Sequence, residues 1–457
     1  MNRKNEYEAM LMELSQPALG LETTLDRAYL KKNKKSRKMI VHSLTGVAAC
    51  FAVFVLLVNF CAPVAYACSL VPGLRELSAA VMFSRSLTEA VENDFVQPME
   101  LSQTENGITA EIAYLIVDQK QVNIFYRLHS DQYETLSAVP TVSCEDKNLG
   151  FALLNRGYGE KNGELLSVTV DFLEQEVPDQ IQFGLCVYED GIMDHKEPED
   201  QPMDTMTSHD PAKELDYLAE FAFLLKFDPK FTATGKVFPV QQTVMMDGQS
   251  ITITDIEVYP THMRVDIAES QDNTAWLIDL DFYIETDWGM RFDAASSGIT
   301  ATGSGDSPSM VSYRADSTYF YQADRLKLVI TGAKWLRKDM ETTYVNLRTG
   351  AHGELPEGAL FDSARREGDD WVIRFQAVLE ENGPMYQLFK QRAYDAEGNA
   401  YEINRWSNRY GEPDEDNKIT YFYDEFPLTD YPYDEVWLCP QYSHNWTAED
   451  LIVIHIQ

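Results

Sequence analysis

Cysteine is scarce. There are six in 457 residues, and three of them (Cys50, Cys61 and Cys68) lie in or beside one apolar stretch, which leaves Cys144, Cys186 and Cys439 for everything beyond it. That set excludes a disulfide framework, so domains of this size must stand on hydrophobic cores. A Cys144–Cys186 bridge is left open, because spacing alone does not supply the geometry a bridge needs. Motifs for chemistry are missing as well. The eight histidines are scattered, with no His-Glu-x-x-His and no Cys-x-x-Cys, which removes sequence support for a zinc site. TGSGDS (302–307) holds a serine and an aspartate but lacks the G-x-S-x-G of a nucleophile elbow. No nucleophile, base and oxyanion donor occur together, so the expectation is a chain that is not an enzyme and takes no cofactor.

Basic residues are also in deficit, and unevenly so. The formal net charge is -35, from 38 Lys and Arg against 73 Asp and Glu; nine of those bases but only five of the acids fall in residues 1–38, so the remainder carries 29 against 68. An exterior this acidic disfavours nucleic acid as a partner. Its acidic loops, 189–204 and 412–417, lack the spaced D-x-D-x-D-G of a Ca²⁺ loop and read as solvated surface.

Between Met39 and Leu74 there is no charge at all, and MIVHSLTGVAACFAVFVLLVNF (39–60) is long enough for a transmembrane helix. The cations Lys31, Lys32, Lys34, Lys35, Arg37 and Lys38 stand immediately before it, whereas the first charge after it is Arg75. By the positive-inside bias the chain is expected to cross the cell membrane once, with its N-terminus in the cytoplasm and its bulk outside. A cleaved signal peptide ending at Ala65-Tyr66-Ala67 is the competing reading; the long head and long run argue for a retained anchor. Within the head, Tyr7, Met10, Leu11 and Leu14 share one helical stripe, and Leu21 and Leu25 begin a second. Short helices of this kind cannot bury such stripes alone. They suit a cytosolic docking partner or, equally by the residues themselves, the inner leaflet of the bilayer.

Beyond the apolar run, Pro72-Gly73 opens a helical stretch carrying Leu74, Leu77 and Val81, and Ser86 with Glu89 has the form of a capping box. From about residue 101 the pattern alternates. Three stretches, ENGITAEIAYLIV (105–117), MDGQSITITDIEV (246–258) and EGDDWVIRFQAVL (367–379), each pass from a glycine turn into a half-buried strand. A later Asp precedes an apolar strand in each, and Gly107 to Asp179, Gly248 to Asp324 and Gly368 to Asp434 span 72, 76 and 66 residues. The last strands are taken as 220–227, 342–347 and 450–456. The expected fold is mainly β: a cytoplasmic head (1–38), a transmembrane helix (39–60), a helical stalk (61–100), then three tandem immunoglobulin-like β-sandwiches at 101–230, 231–348 and 349–457. All seven tryptophans fall in the last two units, where large rings suit the cores.

NFCAPVAYA (59–67) followed by VPGLRELSAAVMFSRSLTEAVENDFVQPMELSQTENGITAEIAYLIVDQKQVNIFYRL (71–128) resembles the domain-of-unknown-function 4179 family of Gram-positive bacterial membrane proteins. FPVQQTVMMDGQSITITDIEVYPTHMRVDIA (238–268) is similar to the β domain that often follows it. The resemblance implies a place beside extracytoplasmic-function sigma factors and a role as an anti-sigma-like membrane regulator, with no catalytic residue to carry over. It also tilts the head toward docking a sigma factor, while the exterior meets an unknown extracytoplasmic ligand. The alternative expectation is a surface binding or adhesion protein whose head is only an anchor.

Overall fold

The computed structural model describes residues 72–456, apart from 145–149, 157–159, 190–216, 230–231, 296–297, 304–306, 322–324, 380–385, 404–405 and 414–417. The head and the apolar run at 39–60 lie outside the described residues; among those residues no helix is long and apolar enough to cross a membrane. The described architecture is mainly β.

Two helices come first. α1 (Pro72–Val81) opens on a proline, whose fixed φ and missing N–H suit a first helical position. α2 (Arg85–Glu92) is capped by Ser84, whose Oγ accepts from the Leu87 N–H at 3.3 Å. The expected Ser86–Glu89 capping box does not form, because both side chains bond to other elements. Nor do these helices stand as a stalk. Leu77, Val81, Leu87 and Ala90 are buried against Ile116 and Phe125 of the first sandwich, which hides stripes too short to be stable alone.

The first sandwich comprises β1 (Gln97–Glu105), β2 (Ile108–Asp118), β3 (Gln121–Ser130), β4 (Thr135–Ser143), β5 (Phe151–Asn155), β6 (Glu160–Lys161), β7 (Leu166–Phe172), β8 (Gln180–Glu189) and β9 (Ala219–Lys226), with β10 (Thr232–Ala233) parallel to β2. One sheet runs β1-β2-β3-β7-β5 and the other β6-β4-β8-β9. Ile124, Val168, Phe183 and Leu225 show how both sheets fill a single core. With β1 set aside, β2-β3-β7-β5 over β4-β8-β9 follows the A-B-E-D and C-F-G order of a constant-type immunoglobulin sandwich.

The second sandwich repeats this order. β11 (Lys236–Met246), β12 (Gln249–Val258), β13 (Met263–Glu269), β14 (Ala275–Thr286), β15 (Arg291–Asp293), β16 (Ala301–Gly303), β17 (Met310–Ala315) and β18 (Leu326–Arg337) form the sheets β11-β12-β13-β17-β16 and β15-β14-β18. The third holds β19 (Thr343–Asn346), β20 (Ala359–Glu367), β21 (Asp370–Val378), β22 (Phe389–Tyr394), β23 (Ala400–Glu402), β24 (Ser407–Tyr410), β25 (Tyr421–Leu428) and β26 (Glu435–Pro440), in sheets β20-β21-β25-β24 and β19-β26-β22-β23. The chain then ends on β27 (His444–Ile456).

This last strand overturns the tandem arrangement. β27 pairs with β18 from Leu326↔Ile456 to Trp335↔His444, and its Ile454 and Ile456 are buried in the second core. β19, read from sequence as the end of unit two, instead pairs with β26 and places Val345 in the third core. The third sandwich is therefore inserted between the penultimate and last strands of the second, and the G-strand position in it is filled by the strand that enters it. The repeat frame shifts for a related reason. Asn106-Gly107 (φ +50° and +77°) and Asp247-Gly248 (φ +51° and +73°) make left-handed two-residue turns joining β1 to β2 and β11 to β12. Gly368 joins β20 to β21, which occupy the A and B positions, one strand further into the fold. β22, the next strand in sequence, pairs with β26 in the opposite sheet.

Cys144, Cys186 and Cys439 are not joined in disulfides. Cys186 lies opposite Val139, so Cys144 is about 17 Å further along the ladder at ~3.4 Å per residue, and no bridge between them can close.

Candidate functional site

β7 reads LSVTVDF, and all seven residues are buried. Alternation accounts for half of this, since Val168, Val170 and Phe172 face the core of the first sandwich. Ser167, Thr169 and Asp171 point the other way, and there the second sandwich and α2 cover what a lone sandwich would leave in water. Gln121 and Asn123 on β3 share that face, with Asn123 accepting from Thr169 Oγ1 at 2.8 Å.

Asp171 is the centre of the joint. Its side chain has no exposed surface, and it meets Arg314 Nε at 2.8 Å and the Arg264 Nη2 group, both arginines being almost fully buried. Burial alone would raise the pKa of Asp171, but the two guanidinium charges outweigh it and hold the carboxyl below its ordinary range. Arg264 Nη1 and Nη2 also donate to the carbonyls of Leu173 and Phe172 at 3.0 and 2.7 Å, and Arg314 Nη1 donates to Ser312 Oγ at 2.6 Å. Charges removed from water this completely are tolerated only when paired and hydrogen-bonded, which is the condition met here.

A second acid, Asp118 at the end of β2, is equally buried. Its Oδ1 accepts from the Lys120 and Gln121 N–H groups at 2.9 and 2.8 Å, and its Oδ2 from the N–H and Oγ1 of Thr261 in the second sandwich at 3.1 and 2.6 Å. Burial pushes this carboxyl up and those donors oppose the shift. Since every partner is a donor, the site fits the carboxylate form.

His262 links the two acids, and its neighbours determine its tautomer. Arg264 Nε donates to His262 Nε2 at 3.0 Å, so that nitrogen carries no proton. Nδ1 must then hold the proton and donate it to Thr261 Oγ1, 2.8 Å away, whose own hydroxyl is committed to Asp118. Arg264, His262, Thr261 and Asp118 thus form one directed chain of donors across the boundary between sandwiches, and Arg264 donates on its other side to Asp171. Burial, with the Arg264 and Arg314 charges added, keeps His262 well below its ordinary pKa and therefore neutral.

The helix pair is bound into the same joint. Ser86 Oγ accepts from the Ser317 N–H at 2.7 Å, and Glu89 bonds the Tyr321 hydroxyl. Arg85 donates to the Arg291 carbonyl and the Tyr321 hydroxyl at 3.0 and 3.1 Å, with its guanidinium 4.3 Å from the centre of the Phe292 ring. A cavity of about 60 Å³ remains among α2, Asn123, His262 and Arg314, room for about two water molecules.

Of the residues singled out in sequence, the docking stripe (Tyr7, Met10, Leu11, Leu14, Leu21, Leu25) and the orientation cations (Lys31, Lys32, Lys34, Lys35, Arg37, Lys38) lie outside the described residues. Among the described residues no group of three or more His, Cys, Asp or Glu is placed to hold a metal ion. Trp335 and Trp371 are buried in cores, Trp406 stacks on Phe426 and Trp288 is exposed. The joint itself escaped sequence reading, and its one available signal was an aspartate, Asp171, inside an otherwise apolar and β-branched strand.

Residues 34–130 match the family model described as domain of unknown function (DUF4179). The chain carries the DUF4179 segment. In the fold, this DUF4179 segment takes in both helices and β1 to β3, with Asp118 but not Asp171. Residues 235–356 match a family of unknown function (DUF5643), which spans β11 to β19 and so includes Thr261, His262, Arg264 and Arg314. The Asp118–Thr261 hydrogen bonds join the two matched segments, whereas Asp171 lies in neither. No curated protein matches the sequence. Among solved structures, the crystal structure of the conserved domain protein from Bacillus anthracis is similar at 14% identity and a TM-score of 0.38, over 57% of this chain and 84% of that one.

Proposed function

We propose that the chain is a membrane-anchored regulator of an extracytoplasmic-function sigma factor, with its β-rich mass outside the cell and its head inside. The observation that supports this reading is the buried joint. The helices following the apolar run in sequence are held by Arg85, Ser86 and Glu89 to the second sandwich and by Leu77, Val81, Leu87 and Ala90 to the first. A change in how the two sandwiches meet therefore changes the hold on the segment that leads back to the membrane. Packed joints of this kind have discrete arrangements, which suits them to switching. The reading requires no catalytic step and no cofactor.

The head is the output in this scheme, with Tyr7, Met10, Leu11, Leu14, Leu21 and Leu25 as the surface that takes the sigma factor. Co-purification of the full chain with the sigma factor encoded beside it tests this. Binding is expected for the wild type and loss of binding for Leu11→Asp, which would bury a charge in the apolar stripe. A wild-type chain that fails to retain the sigma factor overturns the proposal.

A further inference from the structure

A cavity of about 540 Å³ opens where the inserted sandwich meets the second, within the few hundred to about 1,000 Å³ of sites that take small molecules. Pro308 and Leu336 supply its apolar side, and β22 supplies its charged wall. β22 is irregular there. Phe389 pairs with Pro440 and Ala393 with Leu438, so four steps on β22 cover two on β26, opposite Cys439. Phe389 and Ala393 remain fully buried, and the surplus residues Lys390, Gln391 and Arg392 are displaced toward the cavity. Bulges of this type re-aim side chains and occur preferentially beside functional sites.

The cavity carries charges of both signs, Arg392 standing opposite Glu402 across the β22–β23 pair. Among the described residues neither Lys390 nor Arg392 enters an ion pair, and neither do the lining carboxylates Glu341 and Glu402. The contrast is with Arg337, Arg348, Arg365 and Arg374 in the same region, each of which meets a carboxylate within 3.1 Å. Lys390 and Arg392 thus stand close together in one cavity wall of a chain with 73 acids to 38 bases. Cys439 lies at the base of the site, with burial pushing its thiol up and the Lys390 and Arg392 charges opposing, so both cations act on the same spot.

We propose that this cavity binds a small zwitterion of the amino-acid or short-peptide class. Its carboxylate accepts from Lys390 and Arg392, its ammonium donates to Glu341 and Glu402, and its apolar portion rests on Leu336 and Pro308. The inference goes beyond the regulatory reading, and binding is measured directly, so its outcome is separate from that of the sigma-factor assay.

Calorimetric titration of the full chain in detergent micelles with trialanine, N-acetyl-trialanine and trialanine amide tests it. Trialanine is expected to bind, and each blocked form to bind about tenfold more weakly or worse, because blocking removes the charge that one end offers to its two partners. In Lys390→Gln/Arg392→Gln, substitutions on exposed or half-exposed side chains that leave the core intact, trialanine should weaken about tenfold and its amide should no longer be discriminated against. Glu341→Gln should relax discrimination against the acetylated form instead. Absence of any trialanine binding at millimolar concentration, equal affinity for free and blocked peptides, or an unchanged affinity in the double variant each overturn the proposal.

Discussion

Asp171 shows what one buried side chain is worth when it neutralises two others. Removing its charge leaves Arg264 and Arg314 in a dry interface with no counter-ion. Breaking a buried pair in this way typically costs about 3–5 kcal/mol. Asp171→Asn should therefore lower the urea midpoint of the full chain in micelles by an amount corresponding to that range, and a loss below about 1 kcal/mol would mean the joint is far wetter than its burial indicates. His262 makes a prediction of different form. Its pKa in the fold lies well below the unfolded value of about 6.5, so above that pH both states are neutral and it contributes no slope. As pH falls below about 6.5 the unfolded chain takes up a proton that the joint refuses, and stability declines by up to about 1.4 kcal/mol per pH unit. The groups facing it are Asp118, Asp171, Arg264, Arg314 and Lys120, of which Asp118 shifts the other way. Comparing unfolding at pH 7.5 and 5.5, His262→Gln should lose less stability on acidification than the wild type, and equal losses would show that His262 is not the group responsible.

At the scale of elements, alternation and turn chemistry were legible where each strand answers only to its own sandwich. The glycine turns at Gly107 and Gly248 and the strands after them were read correctly, because a left-handed two-residue turn leaves a plain mark in sequence. β20 and β21 carry the same mark at Gly368 although they stand one strand later in the order, and local pattern contains nothing to separate those cases. The polar face of β7 carries no local mark of its burial: Thr169 and Asp171 alternate as solvent-facing residues do, and only the second sandwich makes them interior. Ser86 and Glu89 had the form of a cap, but Ser84 takes that role and frees both for the joint. α2 accordingly depends on contacts outside itself. Arg85→Ala removes hydrogen bonds to Arg291, Met290 and Tyr321 and the guanidinium contacts with the Phe292 and Tyr321 rings, so amide exchange across residues 85–92 should accelerate about tenfold or more in the full chain. Unchanged exchange would transfer the clamp to Leu87, Ala90 and the apolar contacts.

The whole molecule is organised by an insertion. Two chain crossings join the second and third sandwiches, and they run side by side: the Ser443 N–H donates to the Trp335 carbonyl at 2.6 Å and the Arg337 N–H to Ser443 Oγ at 3.0 Å. Adjacent entry and exit points are what allow one domain to sit inside another without disturbing its host. The host nevertheless remains open until β27 is made, since β18 waits for it across the entire inserted domain, a contact of high sequence separation and thus slow to form. The two possible layouts respond oppositely to removal of residues 444–457. A tandem layout would confine the damage to the third sandwich. In the nested layout the third is closed by its own β19, with Val345 in its core, and the second loses the ladder along β18 together with Ile454 and Ile456. Losing two fully packed isoleucines and exposing a strand edge costs at least about 4 kcal/mol, comparable to the stability of a domain. Hydrogen exchange on the truncated chain should show β12 to β18 losing protection while β20 to β26 retain theirs. The reverse pattern would show that β27 belongs to the third sandwich after all.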